Sequence, residues 1–143
     1  MELNKQVCSL ELAKQLKELG FEQDSLFYWV ECINDELPCF KVPHISSLDK
    51  VDDDDLIICS AYTVAELGEM LPHFIKIKDI KYQLFSSVAM GDSDNKKSER
   101  QKFVVYSNEN DYHDNAPIKF MMNYNEADAR AKMLIYLKEN KLI

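Results

Sequence analysis

His113 lies between Asp111 and Asp114 in the stretch "NENDYHDNA", where the residue types come nearest to catalytic machinery. Histidine titrates near neutral pH, and a neighbouring carboxylate can orient its ring, which is the pairing a general base needs. The nucleophile that such a base would activate is not marked. No G-x-S-x-G elbow occurs, and none of Cys8, Cys32, Cys39 and Cys59 sits in a recognised catalytic context. The other two histidines, His44 and His73, are unclustered. A small enzyme with its site in the 108–114 loop is therefore the alternative reading, and a non-enzymatic protein the leading one.

The second arrangement is the run Asp52-Asp53-Asp54-Asp55. Calcium loops alternate their oxygen ligands and place a glycine at the sharp turn. Four consecutive carboxylates cannot converge on one ion, and no glycine follows Asp55. "GDSDNKK" and "NENDYHD" alternate oxygens but lack the glycine and the closing glutamate. The cysteines form no C-x-x-C pair, which argues against structural zinc. Neither G-x-G-x-x-G nor a P-loop occurs, so the sequence calls for no metal and no cofactor. The aspartate run reads as a solvated lead-in, with a second use as an acidic interface. Exposed aromatic residues are the usual anchors of protein interfaces, and Tyr28 and Tyr112 are the candidates here.

The net charge is -8. Residues 1–60 hold 13 acidic and 5 basic side chains, whereas residues 61–143 hold 12 of each, so all the imbalance lies early in the chain. Phosphate backbones are bound by Lys and Arg releasing counterions, so direct nucleic-acid binding is not expected. An acidic face suits a basic protein partner instead. No apolar run approaches the ~20 residues of a membrane span, and the N-terminus lacks the features of a signal peptide. The expected location is the cytoplasm, with reduced thiols. Cys8, Cys32 and Cys59 lie in apolar settings that suit core residues.

The elements that must position these residues follow from patterning. Ser9 is placed to cap "LELAKQLKELG", and Gly20 to stop it in the left-handed conformation with Phe21 packing on Leu16. "SLFYWVECI" and "LPCFKV" read as a hairpin whose second strand is an edge or an irregular one because of Pro38 and Pro43. "LIICS" reads as a short buried strand. Thr63 and Glu66 form a capping box for a short helix that Pro72 closes, and Gly68 inside that helix signals a close approach. "FIKIKDIKYQLFSSVAM", "KFVVYS" and "PIKFMMNY" supply further strands. "NEADARAKMLIYLKENKL" is a helix capped by Asn125, with Lys138 and Lys141 in its last turn. With no repeat and no linker, residues 1–143 form one domain. The expected class is α+β: two layers, a mostly antiparallel sheet of about five to six strands, and terminal helices packed on one face.

The stretches "VCSLELAKQLKELGFEQDSLFYW", "AYTVAELGEMLP" and "YNEADARAKMLIYLKENKL", about half the chain, resemble blocks of small proteins carried on bacterial phages, prophages and mobile elements. That family has no known activity, so the resemblance implies a genomic context and no catalytic residue. Together these readings point to an accessory protein of a mobile element that binds a host or phage protein. A sharper variant is an acidic decoy against a basic nucleic-acid-handling defence protein. Homo-oligomerisation is compatible with either.

Overall fold

A computed structural model describes residues 3–32, 44–51, 55–88, 100–108, 118 and 120–143. The first helix, α1 (Leu10–Glu18), buries Leu12, Ala13 and Leu16 at helical spacing. It ends as its residues dictate. Gly20 takes a positive φ of 82°, its N–H donates to the Lys17 carbonyl (3.0 Å), and the Phe21 N–H donates to the Leu16 carbonyl (3.1 Å). This paired arrangement satisfies carbonyls the helix leaves open. At the other end the expectation is corrected. The Ser9 side chain makes no cap hydrogen bond, and its backbone N–H instead donates to Asp128 Oδ1 at 2.7 Å.

Two antiparallel sheets follow, rather than the single one expected. In the first, β1 (Tyr28–Cys32) lies between β2 (His44–Ser46) and β3 (Asp55–Ser60). Strand β2 lies at an edge of this sheet, while "LPCFKV", Pro38 and Pro43 lie outside the described residues. A bulge sets β1 against β3: Trp29 faces Cys59, but Val30 faces Ile57. Strand β3 is less buried than "LIICS" implies. Cys59 and Ser60 are buried, while Leu56 and Ile57 are 50% and 40% exposed.

Helix α2 (Val64–Met70) is opened by the capping box. Thr63 Oγ1 accepts from the Glu66 N–H (3.3 Å), and Glu66 Oε2 accepts from the Thr63 N–H (2.7 Å). The second sheet is a meander of β4 (Phe74–Ile77), β5 (Ile80–Val88), β6 (Lys102–Ser107) and β7 (Met121–Asn123), giving seven strands among the described residues. Strands β4 and β5 join through Lys78 and Asp79, both at positive φ (49° and 67°), which matches the tight hairpin turn whose twist fits its strands.

Helix α3 (Glu126–Glu139) lies against β6, β7, α1 and α2, and α1 in turn lies against β3. The class is therefore α+β, with the terminal helices packed on each other and on the sheets. Asn125 caps α3 by accepting the Ala127 N–H (3.0 Å), as its sequence position implies. Its buried residues are Ala127, Ala129, Ala131, Met133, Leu134, Ile135 and Leu137. Gly68 of α2 meets α3 closely: a Cβ at that position would stand 2.5 Å from Arg130 Nη1. The same guanidinium pairs with Glu126 at 2.8 Å. Lys141, expected in the last turn, lies one step past the C-cap at φ 55°. There its N–H reaches the Lys138 carbonyl (3.1 Å), while the Leu142 N–H reaches Leu137 (2.9 Å).

Two expectations follow. Lys141→Gly relieves a left-handed side-chain-bearing residue and should stabilise the fold by about 1 kcal/mol, read as a higher urea midpoint at unchanged slope. Gly68→Ala should stabilise by about 1 kcal/mol in an Arg130→Ala background and by clearly less in the parent, because there the new methyl must displace the guanidinium. Equal gains in both backgrounds would show that the close approach carries no energy.

Candidate functional site

Most of the residues that the sequence nominates lie outside the described residues: Asp52, Asp53, Asp54, Asp111, Tyr112, His113 and Asp114. Asp55 begins β3 opposite Cys32. Tyr28 is corrected. It is only 8% exposed, and its hydroxyl accepts the Ser25 N–H (3.3 Å), so it presents no face to a partner. Tyr62, Tyr82 and Tyr106 are buried as well, and of the described tyrosines only Tyr124 is exposed, at 60%. Among the described residues no group of three or more His, Cys, Asp or Glu side chains could hold a metal ion.

Cys8 and Cys59 lack the surroundings that activate a thiol. Cys8 and Cys59 are free and buried. Burial pushes the Cys8 thiol up to about 12, and burial likewise raises Cys59. A thiol that stays protonated at neutral pH has lost the form that attacks. The buried tyrosines are structural too. Desolvation raises Tyr62 to about 12 and also raises Tyr106. The Tyr62 hydroxyl donates to the Glu22 carbonyl and accepts from Gln23 Nε2 (2.7 Å), while Tyr106 donates to the Pro72 carbonyl.

Glu66 anchors the loop before β1. Besides its cap, its Oε1 accepts the Leu26 N–H (2.9 Å) and its Oε2 accepts the Thr63 hydroxyl (2.6 Å). Burial alone would raise this carboxyl, but the hydrogen bonds from Thr63 and Leu26 outweigh it and hold the group below its ordinary 4.5.

The surface that stands out is the outer face of the four-stranded sheet. Alternation sends Ile75, Tyr82, Val104 and Tyr106 inward, where they are buried. The opposite positions carry Phe74 and Lys76 on β4, Lys81, Gln83 and Phe85 on β5, Phe103 and Val105 on β6, and Met122 on β7. Phe74 and Phe85 are each 47% exposed. Phe103 stacks on the exposed Phe120, with ring centroids 5.0 Å apart. Phe74 and Phe85 border a shallow groove of about 430 Å³ that also includes Lys81 and Gln83. Lys76 stands directly opposite Lys81 in the register, and Lys81 Nζ lies 3.6 Å over the Phe74 ring. Like charges directly across a sheet are unfavourable, and this apolar face is the candidate site among the described residues. The signal was present in the sequence as Phe74, Lys76, Phe85 and Phe103 on alternating positions. Its recognition requires knowing which face the helices cover.

No described helix is long and apolar enough to cross a membrane. No family model, curated protein or solved structure matches the chain.

Glu66→Ala should cost about 1–2 kcal/mol by removing the cap and the Leu26 anchor. Because the folded carboxyl titrates below its ordinary 4.5, its contribution is present above that value. It is lost as pH falls through the lower folded value. Denaturant midpoints measured from pH 6 down to pH 3 should therefore fall less steeply for Glu66→Ala than for the parent.

Proposed function

We propose that this protein works by binding another protein through the outer face of its four-stranded sheet, with no chemistry of its own. The observation that carries this reading is the contiguous exposure of Phe74, Phe85, Phe120 and Met122 on one side of the sheet. Exposed apolar side chains of this size are each worth about 1.5–3 kcal/mol when a partner covers them. The opposed Lys76 and Lys81 specify the partner's charge. A surface carrying apolar groups and one or more carboxylates would cover the rings and relieve the repulsion together. This sign is opposite to that of the basic partner suggested by the N-terminal acidity.

The acidic decoy rests on Asp52–Asp55, of which Asp55 alone is described. It stands as a separate proposal, as does the accessory role on a mobile element, which the neighbouring genes would test. The alternative enzyme has no described residue to carry it.

Affinity capture should compare the parent with Phe85→Ser and with Lys76→Glu/Lys81→Glu, each variant first checked for an unchanged unfolding midpoint. The expected result is an acidic-surfaced protein retained by the parent and lost from both variants. Capture that is indifferent to Phe85→Ser would overturn the reading. So would a self-associated parent that Phe85→Ser turns into a monomer, since the face would then belong to a second copy.

A further inference from the structure

Strand β4 lies at one end of the second sheet, with β5 as its neighbour. The His73 carbonyl accepts the Leu84 N–H (3.0 Å), and bonded pairs alternate with unbonded ones along an antiparallel ladder. In the register of β4 and β5, Ile75↔Tyr82 and Ile77↔Ile80 are therefore the bonded pairs. Phe74 and Lys76 belong to the unbonded pairs, so their N–H and C=O groups point away from β5. Among the described residues no backbone hydrogen bond reaches those groups. The same two residues carry their side chains on the outer face, where both are exposed, while Ile75 between them is buried. An open stretch of ladder and an alternating set of side chains thus coincide on Phe74, Ile75 and Lys76.

We infer that the partner contributes an extended segment that adds to β4 as a further strand, with a carboxylate opposite Lys76 and an apolar side chain opposite Phe74; this rests on the reading that the outer face binds a protein. Strand addition takes its affinity from main-chain hydrogen bonds and its selectivity from alternate side chains. In the antiparallel sense the added segment reads acidic, apolar, apolar. Its carboxylate meets Lys76, its middle residue lies beside Ile75, and its third residue covers Phe74. Lys76 already faces Lys81 across the sheet, and Lys81 Nζ lies 3.6 Å over the Phe74 ring. A carboxylate at this edge offsets that like-charge pair. A second copy of this chain is the disfavoured occupant. Pairing β4 with its own copy would bring further lysines against Lys76 and Lys81, and lysine on an edge strand commonly guards against such self-pairing. The net charge of -8 does not reverse the preference. Screening at physiological salt acts over about 8 Å, so the lysines beside the edge set the sign of the segment they accept.

Amide NMR of the full chain, titrated with the capped peptide Thr-Glu-Val-Phe-Thr, tests this. The expected result is saturable binding that slows exchange of the Phe74 and Lys76 amide hydrogens, because those hydrogens enter new bonds. Replacing the peptide's Glu by Lys should weaken binding about fivefold, and Lys76→Glu should restore binding of that lysine peptide. If Lys76→Glu unfolds, the exchange of Glu for Lys in the peptide still reads the charge preference. Methylating the peptide's Glu and Phe nitrogens, which face β4, should weaken binding on the order of tenfold, whereas methylating the Val nitrogen, which faces away, should not. No binding at millimolar peptide would overturn the inference. So would binding indifferent to the position of the methyl groups, binding that leaves both amides exchanging as before, or protection of both amides by self-association without peptide. The Phe85→Ser capture test is separate. A partner retained by the parent and lost from that variant, with Phe74 and Lys76 unprotected in the complex, would uphold the binding face and remove the added strand.

Discussion

Burial of α3 from several sides at once is the constraint on which the remaining architecture depends. Seven of its fourteen residues are buried, and three of those seven are alanines, at 127, 129 and 131. Alanine combines the best helix propensity with the smallest side chain that still has a β-carbon, so β6, β7, α1 and α2 can all come close. Arg130 shows how tight the fit is, since its guanidinium occupies the space that a side chain on α2 would need. The N-terminal segment is then drawn in by polar groups. Asp128 receives the Ser9 N–H, and Asn125 donates to the Val7 carbonyl. These bonds satisfy backbone groups that would otherwise be stranded beside the helix.

Packing α3 against β6 and β7 covers one side of the second sheet, and on its other side Phe74 and Phe85 stay about half exposed. The two sides consequently differ in chemistry. The covered side holds the tyrosines and aliphatics of the core. The other side holds phenylalanines and two opposed lysines.

The parts of the fold that were legible in the sequence are those decided locally. Thr63 and Glu66 specify a cap through their own hydrogen bonds, Gly20 specifies a helix stop through its φ, and "KFVVYS" occupies β6 without adjustment. What was not legible depends on contacts made far along the chain. The division into two sheets follows from which strands pair, and no strand announces its neighbour. Ser9 has the right side chain for a cap, yet Asp128, far away in sequence, engages its backbone. Tyr28 has the residue type of an interface anchor but falls on the inward side of β1. For the functional site the difficulty was similar. Histidine and aspartate drew attention because their chemistry is visible in isolation, whereas an apolar sheet face becomes a candidate only once the packing of the helices is known.

The bonds between Ser9 and Asp128 and between Val7 and Asn125 link residues 119 and 118 positions apart. During translation, α1 emerges long before the helix that covers it. At about 5–20 residues per second, the interval is roughly 6 to 24 seconds. For that time Leu12 and Leu16, wholly or nearly inaccessible in the finished protein, are open to chaperones on the nascent chain. The second sheet can gather its hairpins as they appear, but the N-terminal helix must wait, and completion of the core is a late event in biosynthesis.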